Sequence, residues 1–355
     1  MITGTIETKG RKKNYEIKTA KEKRYDFIEQ LISDSERDMT FPWRKMNISK
    51  APKSLGMLEK NKAINRKSVY EVPDETAEYH GYNRLLLSCT ALKEKYKDSR
   101  WGTYLQIKKM GGHVKKGEKS SSIMIFRPKG SLLTKYNRLT GKYEPVTKIN
   151  EETGKEEAVR LRNQFIKASA VFNVEQTEGL MLPADDFSDI INKEEKNEIM
   201  ERILKNSEAK IIYDQDETGE SFYRPSSDTI HLPRRELFKS LTDFYATASH
   251  EIAHSTGNKA RLNRNQTGNM FSEDPDLLKK YAREELIAEL ASVFLQQDLG
   301  ISFGEKQFKN HEAYLQSWNK ELDYIKENKD EFMNVCKEAE KAAEYMKNMT
   351  REKKE

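Results

Sequence analysis

Cysteine is nearly absent: Cys89 and Cys336 are the two in 355 residues, far apart and in no CxxC pair. This excludes a disulfide framework and a cysteine-built zinc site, and it leads us to expect a reducing, cytoplasmic setting. Long apolar runs are missing as well. None approaches the roughly 18 residues a membrane helix needs, so no membrane partner is expected. The opening MITGTIETKGRKKNYEIK carries charge but no apolar stretch of the secretory-signal kind. Histidine is scarce, at six residues. No repeat of fixed period is found.

Charge is plentiful. Charged residues make up 34% and hydrophobic residues 36%, yet Leu, Ile, Val and Phe recur in periodic runs, which points to folded domains with lysine-rich surfaces. The length suits two domains. The net charge of +5 is unevenly spread: Lys93 to Arg138 holds thirteen Lys or Arg against three acids, a net +10, and the remainder carries −5. Such a block is either a solvated lysine face or the electrostatic footprint of a polyanion.

Residues 1–20 read as a basic, flexible arm. Tyr25, Phe27, Ile28, Leu31 and Ile32 space a helix over 21–32, which Pro42 keeps from continuing. Residues 47–75 are polar and irregular. A helix begins near Gly81 with Leu85, Leu86, Cys89 and Leu92 inward and Asn83 as a candidate cap. RWGTYLQIKKMGG reads as helical up to Gly111. SSSIMIFRP is a strand, and two Thr-Gly-Lys turns among β-prone runs predict hairpins. Residues 21–178 therefore form an α+β unit, 179–195 a linker, and 196–355 a second, mostly helical domain. That domain has strands in AKIIYDQ and ESFYRPSSDTIHLP, a helix over 236–256, a second over 275–299 stopped by Gly300, and a helical tail.

TASHEIAHSTGN, at 247–258, is the sharpest signal. Four residues apart on a helix, His250 and His254 present both imidazoles to one point. Glu251, about 100° around the axis, is placed to act on water rather than to ligate. A divalent ion there lowers the pKa of bound water toward ~7, and Glu251 takes its proton as it attacks a carbonyl. The competing reading is a structural histidine pair on an ordinary amphipathic helix. It predicts no third ligand, whereas YAREELIAELASVFL supplies Glu285 and Glu289, also four apart. Glu285 is read as the third ligand and Glu289 as the carboxylate accepting from a ligand imidazole, with the reverse assignment open. Glu284 points about 100° from Glu285. His231 is a weak ligand, a substrate contact or a plain strand histidine. Its strand has the makings of a peptide-pairing edge. Zinc is the expected cofactor, with another divalent ion such as Mn(II) as the variant.

GGHVKKGEKS nearly forms a phosphate loop, but Glu118 separates Gly117 from Lys119 and a strand rather than a helix follows, so nucleotide binding is rejected. The aromatics carry more. Trp43 with Arg44, Tyr82 with Asn83 and Arg84, and Trp101 with Tyr104 lie among Arg100, Lys108, Lys109, Lys115, Lys116 and Lys119. Aromatic faces stack on exposed bases while cations follow phosphates, which suits single-stranded nucleic acid. No duplex-reading motif is present. The other reading places these aromatics in the core.

FPWRK, YHGYNRLLL, RWGTYLQIKKMGGHVKKGEKSSSIMIF and VFNVEQTEG resemble the N-terminal domain of ArdC-type antirestriction proteins. FYRPSSDTIHLP, TASHEIAHSTG, RLNR and AREELIAELASVFLQQDLGI resemble that family's zincin-like metallopeptidase domain. The likeness spans about 21–345. It implies a single-stranded-DNA-binding domain before a gluzincin-like metal-binding domain, in a protein of mobile elements that protects incoming DNA from host restriction. It also implies His250, His254 and Glu285 as ligands and Glu251 as the catalytic acid. The segment between Asn47 and Tyr79 is longer and more polar than the family pattern, and Ser255 and Asn258 stand where an aromatic and a histidine are common.

The expected protein thus binds single-stranded DNA and carries a zinc-dependent endopeptidase-like domain. Its protein substrate would come from the host restriction system or from the element itself. Two other readings stand: a non-catalytic DNA-binding protein with a structural or vestigial metal site, and a protease that cleaves a repressor.

Overall fold

Capping chemistry sets several of the helix borders. In the computed structural model, which describes residues 2–8, 11–45, 50–55, 78–127, 129–137, 142–150, 154–161, 165–182, 193–214, 220–264, 266–269, 272–300 and 312–351, the helices are α1 (Ala20–Asp38), α2 (Gly81–Glu94), α3 (Tyr104–Lys109), α4 (Lys193–Asn206), α5 (Leu241–Ser255), α6 (Pro275–Leu299), α7 (Glu312–Glu327) and α8 (Phe332–Asn348). The strands are β1 (Ile2–Thr8), β2 (Arg11–Ile17), β3 (Lys53–Ser54), β4 (Arg100–Gly102), β5 (His113–Val114), β6 (Ser121–Arg127), β7 (Thr134–Asn137), β8 (Lys142–Pro145), β9 (Thr147–Ile149), β10 (Glu156–Ala158), β11 (Phe165–Asn173), β12 (Thr177–Glu178), β13 (Lys210–Asp214), β14 (Phe222–Arg224) and β15 (Thr229–Pro233).

The chain forms two compact units that do not follow chain order: Met1–Tyr25 with Ser122–Ala170, and Asp26–Ser121 with Val171–Glu355. The first is built of β-structure. β1 and β2 pair antiparallel over their full length, so the expected loose arm is instead a hairpin. Its β-branched Ile2, Thr3, Thr5, Ile6 and Thr8 favour a pleated strand despite the basic composition. The two hairpins foreseen around the Thr-Gly-Lys turns are present as β7–β8 and β9–β10.

The second unit holds the helices, except for the first residues of α1. α6 begins at Asp274, whose side chain accepts from the backbone N–H of Asp276 at 2.9 Å, has Pro275 in its first turn, and ends at Gly300 in the left-handed region. α5 starts later than expected, at Leu241. Ser240 caps it through the backbone N–H of Asp243, and Arg235–Leu237 form a separate 3-10 turn. RWGTYLQIKKMGG is split. Arg100–Gly102 is strand, paired with β3 and β11, and a capping box between Thr103 and Gln106 starts α3 afresh.

α6 lies against α5, α7 and α8, and α2 lies against α8. Leu286, Ile287, Leu290 and Phe294 of α6, Phe244, Ala248 and Ile252 of α5, and Val335, Ala339 and Ala343 of α8 are fully or almost fully buried. Each large member of that set contributes about 1.5–3 kcal/mol by burial. A three-stranded sheet of order β13-β15-β14 packs β14 and β15 on α5. β15 runs parallel to β13 and antiparallel to β14, which leaves β14 at an edge among the described residues. No helix among them is long and apolar enough to cross a membrane. The expected linker lies mostly outside the described residues, as does most of the polar segment after Asn47.

Candidate metal centre

α5 and α6 cross so that His250, His254 and Glu285 converge, with one ligand atom of each within 4.8 Å of the others. The two Nε2 atoms are 3.1 Å apart. His250 Nε2 is 3.4 Å from Glu285 Oε2, and His254 Nε2 is 3.4 Å from Glu285 Oε1. Ligand bonds of about 2.0–2.1 Å in a tetrahedron put donor atoms roughly 3.3 Å apart, so this donor set fits a small divalent ion. Two imidazoles and one carboxylate also match the N/O preference of zinc and of its divalent neighbours.

Glu251 lies next to His250 on the buried side of α5. Burial pushes its carboxyl up. His250 and His254 pull it down, Glu285 pushes it up, and the backbone of Tyr223 on β14 hydrogen-bonds it; the net direction is upward. Burial likewise opposes charge on Glu285, but His254 and His250 outweigh it and hold that carboxyl far below the usual carboxylate range. For His254, burial disfavours the cation, whereas Glu285 and Glu284 raise its pKa well above that of a free imidazole.

The outer carboxylate is not the expected one. His254 Nδ1 faces Glu284 Oε1 at 3.5 Å. Glu284 in turn takes Arg264 Nη2 at 2.6 Å, Arg264 Nε at 3.1 Å and Gln266 Nε2 at 3.2 Å. Arg264 also donates to Thr256 Oγ1 and to the carbonyl of Ala253, so it ties the end of α5 to α6. Glu289, read from the sequence as this acceptor, sits one turn further along α6, where Trp43 Nε1 donates to it at 2.7 Å and Arg44 grips both of its oxygens. Facing along one helix favoured Glu289. The crossing of α5 and α6 selects Glu284, and the buried Arg264 of RLNR is the signal that identifies it.

His231 is not in the cluster. It stacks on Phe222, ring centroids 4.5 Å apart. Asn258 donates to Tyr223 Oη at 3.2 Å, and Ser255 Oγ donates to the Ile252 carbonyl. A second group, His80, Glu340 and Glu344, also converges. Glu340 there accepts from Arg84 and from the backbone N–H of Gly81, which anchors the start of α2 and fills the capping place considered for Asn83.

The residues read as DNA contacts divide sharply. Trp43, Tyr82, Arg84, Arg100 and Trp101 are buried. Trp43 stacks on Phe41 at 4.3 Å, and Tyr82 meets Phe27 edge-on. Arg84 donates to the Phe294 carbonyl at 2.6 Å and to Asp298 at 2.7 Å, and Arg100 pairs with Asp98 at 2.5 Å. Asn83 is half-buried and Arg44 is turned into the protein. Tyr104, Lys108, Lys109, Lys115, Lys116 and Lys119 are exposed. Tyr104 and Lys108 share one face of α3 at i,i+4, anchored from beneath by buried Ile107.

The two regions match two known families in the same order. Residues 21–172 match the N-terminal domain of anti-restriction factor ArdC, and residues 198–338 match a zincin-like metallopeptidase. The chain carries the two domains of the ArdC-type antirestriction proteins, in their order. It is similar to the metal-free crystal structure of antirestriction protein ArdC from plasmid R388, with 28% identity and a TM-score of 0.61 over 92% of this chain and 97% of that one. The Mn(II)-bound structure of that protein matches at 27% identity and TM-score 0.61, with the same coverage. A DNA primase, TraC, of Escherichia coli is 34% identical over 277 residues, which are 77% of this chain and 23% of the primase. The chain thus spans about a quarter of that relative's length. The expected ArdC-type architecture, an α+β domain followed by a mostly helical zincin-like domain, is confirmed. The zincin-like domain implies a divalent metal.

Proposed function

We propose that this ArdC-type chain protects incoming DNA from host restriction. In this reading it binds single-stranded DNA through its exposed basic segment and uses the α5–α6 centre as a zinc- or manganese-dependent peptidase. The observation that carries the peptidase reading is the convergence of His250, His254 and Glu285 with Glu251 adjacent on the same helix. A bound divalent ion would supply Lewis acidity and acidify water. His250, His254 and Glu285 would hold it, and Glu284, itself fixed by Arg264, would orient the His254 ring. Glu251, its pKa raised by burial, would take a proton from water at its carboxylate and return it to the leaving amine. β14, whose Tyr223 backbone reaches Glu251, would offer its edge to an extended peptide.

The test is Glu251→Gln in the full chain. Metal content and DNA affinity are expected to hold, while proteolysis of restriction subunits falls by about 10²–10⁴-fold. Proteolysis that survives the change would end the proposed role of Glu251. The burial of Glu251 favours a second reading, in which the ion is structural and DNA coating alone protects. Protection by Glu251→Gln equal to that of the parent would select it.

A further inference from the structure

Trp43 and Arg44 lie in the part of the chain that matches the ArdC N-terminal domain, yet both donate to Glu289 on the helix that carries Glu285. They sit on a 3-10 turn, Pro42–Lys45. The indole ring packs on Phe41, and its Nε1–H donates to Glu289 Oε1. The Arg44 guanidinium takes the same carboxylate in a two-pronged grip and reaches Glu321 of α7 at 3.3 Å. The side chains of Arg44, Glu289 and Glu321 are 15%, 12% and 3% exposed, so water replaces little of this interaction.

Glu289 is four residues beyond Glu285, on the same face of α6. Rotating or sliding α6 would move both carboxylates together. An arginine fork fixes direction as well as distance. We propose that Trp43 and Arg44 are positioning residues for the metal centre: by clamping Glu289 they set the rotation of α6 that presents Glu285 to His250 and His254. The inference rests on the metal-centre reading above. It makes a turn of the N-terminal family domain part of the support of the zincin-like site.

The experiment measures Mn(II) affinity of the full chain by EPR, using free Mn(II) for the dissociation constant and the bound-ion line shape as the signature of ligand geometry. Arg44→Ala is expected to weaken Mn(II) binding by about tenfold. Trp43→Phe, which keeps the ring on Phe41 and removes only the donor, is expected to weaken it less but to alter the line shape in the same sense. Arg44→Lys, with charge but no fork, should recover part of the loss. Arg84→Lys is the control. It loosens the far end of α6 and should lower the unfolding midpoint while leaving Mn(II) affinity in place. Should Arg44→Ala fail to fold, Trp43→Phe decides. The clamp is overturned by Mn(II) binding within about twofold of the parent and an unchanged line shape in the folded variants. It is equally overturned by an equal loss in Arg84→Lys. A parent chain that binds no Mn(II) would remove the metal-centre reading and the clamp together, whereas equal binding by parent and variants removes the clamp alone.

Discussion

The carboxylate of Glu284 faces Nδ1 of His254 at 3.5 Å, while Nε2 of the same ring faces Glu285. One imidazole is thus addressed by adjacent residues of α6, one on the ligand side and one behind it. Glu284→Gln keeps the shape but removes the charge that favours a proton on Nδ1 and a free lone pair on Nε2. Metal affinity is expected to fall by about 10–100-fold, read from a Mn(II) or Zn(II) titration. Glu284→Ala would do more, because it leaves the Arg264 guanidinium, 3% exposed, without its carboxylate. Breaking a buried pair in this way costs about 3–5 kcal/mol, to be read from urea unfolding.

The exposed lysines offer a test on a different surface. Replacing Lys115, Lys116 and Lys119 with alanine is expected to weaken single-stranded DNA binding and to flatten the slope of log affinity against log salt. At about 0.7 per phosphate contact, three lost contacts reduce that slope by about 2. An unchanged slope would clear the segment of any role. Trp101→Ala should behave differently: with the indole wholly buried, the expected result is a stability loss of about 3–5 kcal/mol rather than a stacking defect.

Much of the centre was legible in TASHEIAHSTGN because helix geometry is local. Positions four apart converge whatever the rest of the chain does, and Asp274, Pro275 and Gly300 mark the ends of α6 for the same reason. Glu284 was not legible as the partner of His254, since only the packing of α6 on α5 decides which glutamate stands behind the ring. Trp43 and Trp101 carry the same lesson. An aromatic beside a cation reads as a stacking platform or as a core residue, and the choice here depended on packing: Trp43 lies on Phe41 and donates to the distant Glu289, and Trp101 meets Tyr96. The hairpin at the start was masked by lysines whose charge says nothing about strand pairing.

Acid should loosen the sheet edge through Asp228. Its carboxylate accepts from Tyr223 Oη at 2.8 Å and from Arg261 Nη1 at 3.0 Å. The Arg261 hydrogen bond outweighs burial and holds its pKa below the ordinary 3.8. A depressed carboxylate stabilises the fold fully above the unfolded-state value, and that contribution disappears as pH falls through the lower folded-state value. The parent should therefore lose stability more steeply than Asp228→Asn below about pH 4. Asparagine also tolerates the positive φ of 51° at this position, so the comparison is free of backbone strain. Parallel acid limbs in urea titrations of the two proteins would dismiss the effect.

The hydrogen bond from the Gly81 backbone to Glu340 spans 259 residues of chain. α8 closes over α6 and α2, and it is the last of the described helices to be synthesised. The surfaces of α6 and α2 that α8 meets stay uncovered until it docks, and pairing elements this far apart in sequence is slow. Slow refolding, with apolar helix faces exposed until α8 docks, is therefore the kinetic behaviour expected of this arrangement.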